Sequence, residues 1–126
     1  MALFPIEPLA VCALTLACIG GPSTPAGSEF TLTTETADGE RTSVTLECQP
    51  SGGTHPQPGV ACGALAMVWG DFDSLDDHPT RQACTLELAP VKAEAYGHWR
   101  GEPVDFSTTY SNPCVADAMS RGVFQP

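Results

Sequence analysis

The chain has 126 residues, a length that fits one domain, and 15 Asp and Glu against 5 Lys and Arg give it a net charge of -10. So acidic a chain is a poor partner for nucleic acid or for an anionic membrane surface, and solubility of an exported domain is the plainer meaning of the charge. Six cysteines raise the question of a disulfide framework.

Leu9 to Ile19, LAVCALTLACI, is an apolar run too short to span a bilayer but of the length of a signal-peptide hydrophobic region. Gly20 to Glu29, GGPSTPAGSE, has the composition of a linker. Residues 1–29 are therefore expected to be signal peptide and linker, ahead of one domain over 30–126. The leading MALFPIEP departs from a usual signal peptide, since it carries Glu7 and no Lys or Arg. Two cleavage readings compete. A cut beside Ala26, after Thr24-Pro25, gives a secreted protein; a lipoprotein-like box, Leu14 to Cys18 with Thr15 where Leu is usual, gives a lipid anchor at the cell surface. Membrane contact is expected only if Cys18 is lipidated. A third reading makes the run a buried element of the domain.

Export to an oxidising compartment makes disulfides the default for Cys48, Cys62, Cys84 and Cys114. Four cysteines allow three pairings, of which the sequential one is the simplest.

Phe30 to Thr36, FTLTTET, alternates apolar and polar residues and reads as a strand; Asp38-Gly39 signals a turn. Thr42 to Cys48 is a second strand, with Val44, Leu46 and Cys48 on one face, so the two form a hairpin. Pro50 to Gly59 holds three prolines and three glycines and reads as a loop. Val60 to Trp69 has helical composition, with Cys62, Leu65, Ala66 and Trp69 spaced for one face and Gly70 as the stop. Asp71 to Asp77 is an acidic turn that lacks the glycine and distal Glu of a calcium loop. Val91 to Tyr96 reads as a strand broken by Gly97, and Val104 to Tyr110 as its hairpin partner with Trp99 near the turn. Cys114 to Ser120 is a short helical turn and Gly122 to Gln125 a last apolar strand. The sum is an α+β fold: a five-stranded antiparallel sheet, one or two short helices covering one face, and two disulfides.

No local motif assembles a nucleophile with a base, so no enzyme activity and no cofactor are expected. Cys48, His55 and Cys62 form a zinc set on paper, but disulfide formation outside the cell outweighs it, and no metal is expected. His55 reads instead as a structural hydrogen-bonding residue of the tight loop.

The segment Gln82 to Pro90, QACTLELAP, admits two readings. In one, Leu86 and Leu88 point inward from an ordinary edge strand. In the other, Cys84 at one end and Pro90 at the other hold an extended surface loop that offers Leu86 to a protease pocket. A protease takes its substrate as an extended strand with one side chain in a specificity pocket. The polar approach Asp76 to Gln82 favours the second reading.

Leu46 to Leu65, LECQPSGGTHPQPGVACGAL, resembles the signature segment of the Streptomyces subtilisin inhibitor family in its Cys-x-Pro start, Gly-Thr-His-Pro and Ala-Cys. The similarity continues through Trp99-Arg100-Gly101, Val104, Tyr110-Ser111-Asn112-x-Cys114 and Gly122-Val123-Phe124. It implies disulfides Cys48–Cys62 and Cys84–Cys114, an antiparallel sheet with two helices, and a homodimer formed through the sheet. It also implies a reactive loop of Ala83, Cys84, Thr85, Leu86, Glu87 and Leu88, with the scissile bond Leu86–Glu87 and with Asn112 bracing the loop. Subtilisin-like serine proteases, and chymotrypsin-like ones that accept leucine, are then the expected partners. Gly63, Thr85 and Glu87 depart from the family pattern. The stretch ACTLE, Ala83 to Glu87, is similar to the reactive loop of Kazal-type ovomucoid domains, where Thr and Glu side chains hydrogen-bond to the loop interior. Thr85 and Glu87 are expected to stiffen this loop in the same way. The alternative function is a secreted or lipid-anchored binding module on the same scaffold without protease inhibition.

Overall fold

Alternating apolar residues set one face of the sheet. The computed structural model describes residues 27–126; residues 1–26 of the expected leader and linker, with Cys12 and Cys18, lie outside the described residues. β1 (Ser28–Glu35) buries Phe30 and Leu32, and β2 (Arg41–Cys48) buries Leu46 and Cys48. They pair antiparallel in register from Ser28 opposite Cys48 to Glu35 opposite Arg41. Between them Asp38 accepts from the Thr36 hydroxyl and the Glu40 N–H, which lowers its carboxyl below the usual value.

β3 (Val91–Trp99) pairs with β1 from Ser28 opposite Trp99, and β4 (Glu102–Tyr110) pairs with β3, giving the order β2-β1-β3-β4. Gly97 does not break β3. A side chain there would stand 2.0 Å from the Glu29 carbonyl oxygen, so glycine is what lets the two backbones approach and the strand run on to Trp99.

Helices cover one face only. α1 (Pro58–Met67) starts two residues before the expected Val60, because proline at the first turn gives up an N–H that has no partner there. It buries Ala61, Cys62, Ala64 and Leu65. The expected face is corrected at two positions: Ala66 is exposed, and Trp69 is 76% exposed. The helix ends at Met67 and Trp69 is left-handed (φ 55), so helical spacing no longer governs where it points. Gly70 (φ 75) closes the turn by donating to the Leu65 carbonyl, with the Trp99 ring against it. The acidic stretch winds into a 3₁₀ turn (Phe72–Asp77), capped by Asp71, which sends Phe72 and Leu75 inward. α2 (Pro113–Met119) follows β4.

There are four strands among the described residues, not five. The stretch expected as the fifth, Gly122 to Gln125, buries Val123 and Phe124 but pairs with no strand. The Phe124 N–H goes to the Ser120 hydroxyl at 2.9 Å, and the Val123 carbonyl accepts from His55 Nε2 at 2.8 Å. His55 Nδ1 in turn accepts from the Gln57 N–H, so this buried ring ties the loop before α1 to the chain end. Apolar content in that stretch signalled burial, which a short run shares between strand and plug.

Phe30, Phe72 and Phe124 fill the core with Phe106 half-buried against them, and Phe30 meets Phe72 edge-to-face at 5.2 Å between centroids. Such pairs contribute about 0.5–1.5 kcal/mol beyond burial. Tyr110 stands at the edge of this cluster, 6.3 Å from Phe124. Burial, helped by the Asp76 carboxylate, pushes its phenol from 10.0 up to about 12. Because folding favours the protonated form, the resulting stability is complete below the unfolded value and lost as pH rises through the folded one. Alkaline destabilisation between pH 10.0 and about 12 is expected in the parent and reduced in Tyr110→Phe, followed by denaturant midpoint against pH. Identical alkaline profiles in the two proteins would refute it.

Candidate functional site

Residues 79–90 form neither helix nor strand, and the inward-facing edge strand is excluded. Leu86 is 100% exposed and Leu88 is 79% exposed. A leucine left wholly in water forgoes roughly 1.5–3 kcal/mol of burial, which becomes available when a partner covers it.

Both arms of the loop are fastened to one short stretch, Ser111 to Arg121. Before the crest, the Thr80 N–H donates to the Ala118 carbonyl at 3.0 Å, and the Arg121 guanidinium donates to the His78 carbonyl. Cys84 is joined to Cys114 with Cα atoms 5.6 Å apart. After the crest, the Ala89 N–H donates to the Ser111 carbonyl at 2.8 Å. The second disulfide, Cys48–Cys62, holds α1 against β2. Closures of this length stabilise a fold by about 3–4 kcal/mol in the loop-entropy model.

The crest itself is held by Asn112. Its buried side chain donates through Nδ2 to the Thr85 carbonyl at 3.1 Å and to the Glu87 carbonyl at 2.8 Å. Its Oδ1 accepts from the Val115 N–H at 2.9 Å and so caps α2. The cap fixes the amide orientation, and the orientation fixes which face the loop turns inward. An extended chain points successive carbonyls to opposite sides. With those of Thr85 and Glu87 drawn in to Asn112, the Leu86 carbonyl between them is turned out, and among the described residues it accepts no hydrogen bond.

One expectation is corrected here. Among the described residues neither the Thr85 hydroxyl nor the Glu87 carboxylate makes a hydrogen bond, and both residues are exposed. The stiffening comes from their main-chain carbonyls. Ala83, Cys84 and Leu88 lie on the loop as expected. Thr80, Ser111, Ala118 and Arg121 were not anticipated. Three of them act at the site through backbone groups, which side-chain identity does not report.

Among the described residues no three or more His, Cys, Asp or Glu side chains are grouped to hold a metal ion, and no helix is long and apolar enough to cross a membrane. The arrangement can do one thing well: present a rigid extended peptide, with an apolar side chain and a bare carbonyl outermost.

Comparison with known proteins bears on what meets that peptide. A family model described as subtilisin inhibitor-like matches residues 26–112. Protease inhibitor SIL-V2 of Streptomyces orinoci is 41% identical over 87 residues, covering 68% of this chain and 80% of its own length. Subtilisin inhibitor-like protein 2 of Streptomyces rochei is 42% identical over 82 residues, covering 64% of this chain and 72% of its own. Among solved structures, Streptomyces caespitosus sermetstatin, in complex with Bacillus licheniformis subtilisin, superposes with a TM-score of 0.60. That match has 32% identity over 77% of this chain and 96% of that one.

Proposed function

The chain belongs to the subtilisin inhibitor-like family, a family of inhibitors and not of enzymes, and from that membership we infer that it is a proteinaceous inhibitor of subtilisin-like serine proteases. The reactive loop is Ala83, Cys84, Thr85, Leu86, Glu87 and Leu88, and the bond offered is Leu86–Glu87. The observation that carries this reading is the fully exposed Leu86 set between two carbonyls held by one buried amide.

Inhibition follows from stiffness. Leu86 enters the specificity pocket, which returns roughly 1.5–3 kcal/mol. The ribbon is already extended, so little conformational entropy is lost on docking. Should the enzyme cut the bond, neither new end departs. The Thr85 side stays tied through Cys84–Cys114 and the Asn112 amide, and the Glu87 side through Asn112 and the Ala89–Ser111 hydrogen bond. The amine released from Glu87 therefore remains beside the acyl-enzyme at high effective concentration, and religation outruns hydrolysis.

Titration against active-site-calibrated subtilisin, chymotrypsin and trypsin tests the reading. Stoichiometric inhibition of subtilisin, weaker action on chymotrypsin and least on trypsin is the expected order. Failure of a correctly disulfide-bonded sample to inhibit any of the three would reject it in favour of the binding-module alternative.

The residues ahead of β1 serve as leader and linker, the boundary expected at 29/30 moving back because Ser28 and Glu29 already pair in the sheet, and export leaves either a free mature chain or one lipidated at Cys18; the mass of the mature N-terminal peptide separates them. The uncovered face of the sheet, where Tyr96 is 69% exposed, joins two copies into a homodimer, which the sedimentation mass tests.

A further inference from the structure

Glu87 follows Leu86 on the crest. Its carbonyl is fixed 2.8 Å from Asn112 Nδ2, while its carboxylate has no hydrogen-bond or ion-pair partner among the described residues. The backbone is held and the charge is left open. Given the reading that Leu86–Glu87 is the bond offered, an enzyme that engulfs Leu86 also covers the residue after it and strips water from that carboxylate. A carboxylate desolvated without a partner loses more than an apolar side chain gains, so tight binding requires a partner for it.

The inhibitor has none to lend. Of its 5 Lys and Arg, Arg41 pairs with Glu94 at 3.7 Å and Arg100 lies over the Trp69 and Trp99 rings. Arg121 is bound to the His78 carbonyl, Lys92 stands on β3, and Arg81 is exposed on the opposite arm of the loop. The partner must come from the enzyme.

We propose that Glu87 is a second specificity determinant: the tightly held proteases are those presenting a lysine or arginine on the leaving-group side of the bond, and those with an acidic surface there are rejected. The net charge of -10 acts in the same sense, speeding encounter with a cationic enzyme face.

One subtilisin scaffold bearing Lys, Gln or Glu at the surface that receives residue 87 supplies the test. Inhibition constants are measured at low and high salt for the parent and for Glu87→Gln. For the parent the order is Lys tightest and Glu weakest, each step about fivefold or more, and shrinking with salt. For Glu87→Gln the spread among the three enzymes falls to within about twofold, the remainder set by the overall charge, and most of the salt dependence fades. A parent that binds all three alike would overturn the proposal, as would a Glu87→Gln variant weakened by the same factor on all three, which marks a loop-stiffening role. Both outcomes leave the inhibitor reading intact, whereas a parent that inhibits none of the three defeats that reading itself.

Discussion

Leu86→Lys raises affinity for trypsin about 100-fold, lowers affinity for subtilisin about tenfold, and leaves the melting temperature where it was. The last part comes first physically. Leu86 is 100% exposed, so nothing in the folded chain depends on its side chain, and a surface change of this kind moves stability by about 0.5 kcal/mol at most. The gain on trypsin comes from a charge-assisted hydrogen bond inside a pocket with a buried carboxylate, worth about 1.5–3 kcal/mol. The loss on subtilisin is smaller than full removal of leucine, since the lysine stem keeps part of the apolar contact. Inhibition constants for both enzymes, with a thermal melt of the same preparation, check all three parts. Unchanged selectivity would mean that another surface docks the enzyme.

What the sequence discloses about this fold divides along a physical line. Period-two alternation in FTLTTET and TSVTLEC reports one buried face, and β1 and β2 lie where it puts them to within two residues. Gly97 misleads, because a glycine that ends a strand and one that admits a neighbouring backbone look alike until the neighbour is known. Val123 and Phe124 mislead in a related way, since their burial is visible in the sequence but their hydrogen-bond partners, Ser120 and His55, are tertiary facts. The crest was legible as an exposed leucine after a cysteine. Its inner support was only partly so: Asn112 entered through resemblance, while Thr80 and Ser111 contribute backbone groups that any residue could supply. The Thr85 and Glu87 side chains, expected to act inward, stand free; it is the main-chain carbonyls of the same two residues that one amide holds.

Asn112→Asp turns the inhibitor into a substrate without unmaking the helix beneath it. The amide has two duties, and this substitution separates them. A carboxylate oxygen still accepts from the Val115 N–H, so the cap on α2 survives and the added charge suits a helix start. The Nδ2 donor is gone. Two hydrogen bonds to the crest, each worth about 1 kcal/mol, are replaced by a negative oxygen facing the Thr85 and Glu87 carbonyl oxygens across the same gap. Repulsion adds to the loss, and the total is about 3 kcal/mol, or about 100-fold in the inhibition constant. With the crest untied, the amine released at Glu87 drifts from the acyl-enzyme, so cleaved chain accumulates in step with time instead of reaching an early plateau. Mass spectrometry of the incubated mixture reads that plateau directly. Asn112→Ala serves as the reference, because it loses the cap as well and melts about 4–8 °C below the Asp variant, the shift expected for a further loss of about 1 kcal/mol in a domain of this size. An Asp variant that inhibits as tightly as the parent would show that the disulfide and the two backbone tethers hold the ribbon unaided, and the account of the crest would have to be rebuilt on Cys84–Cys114.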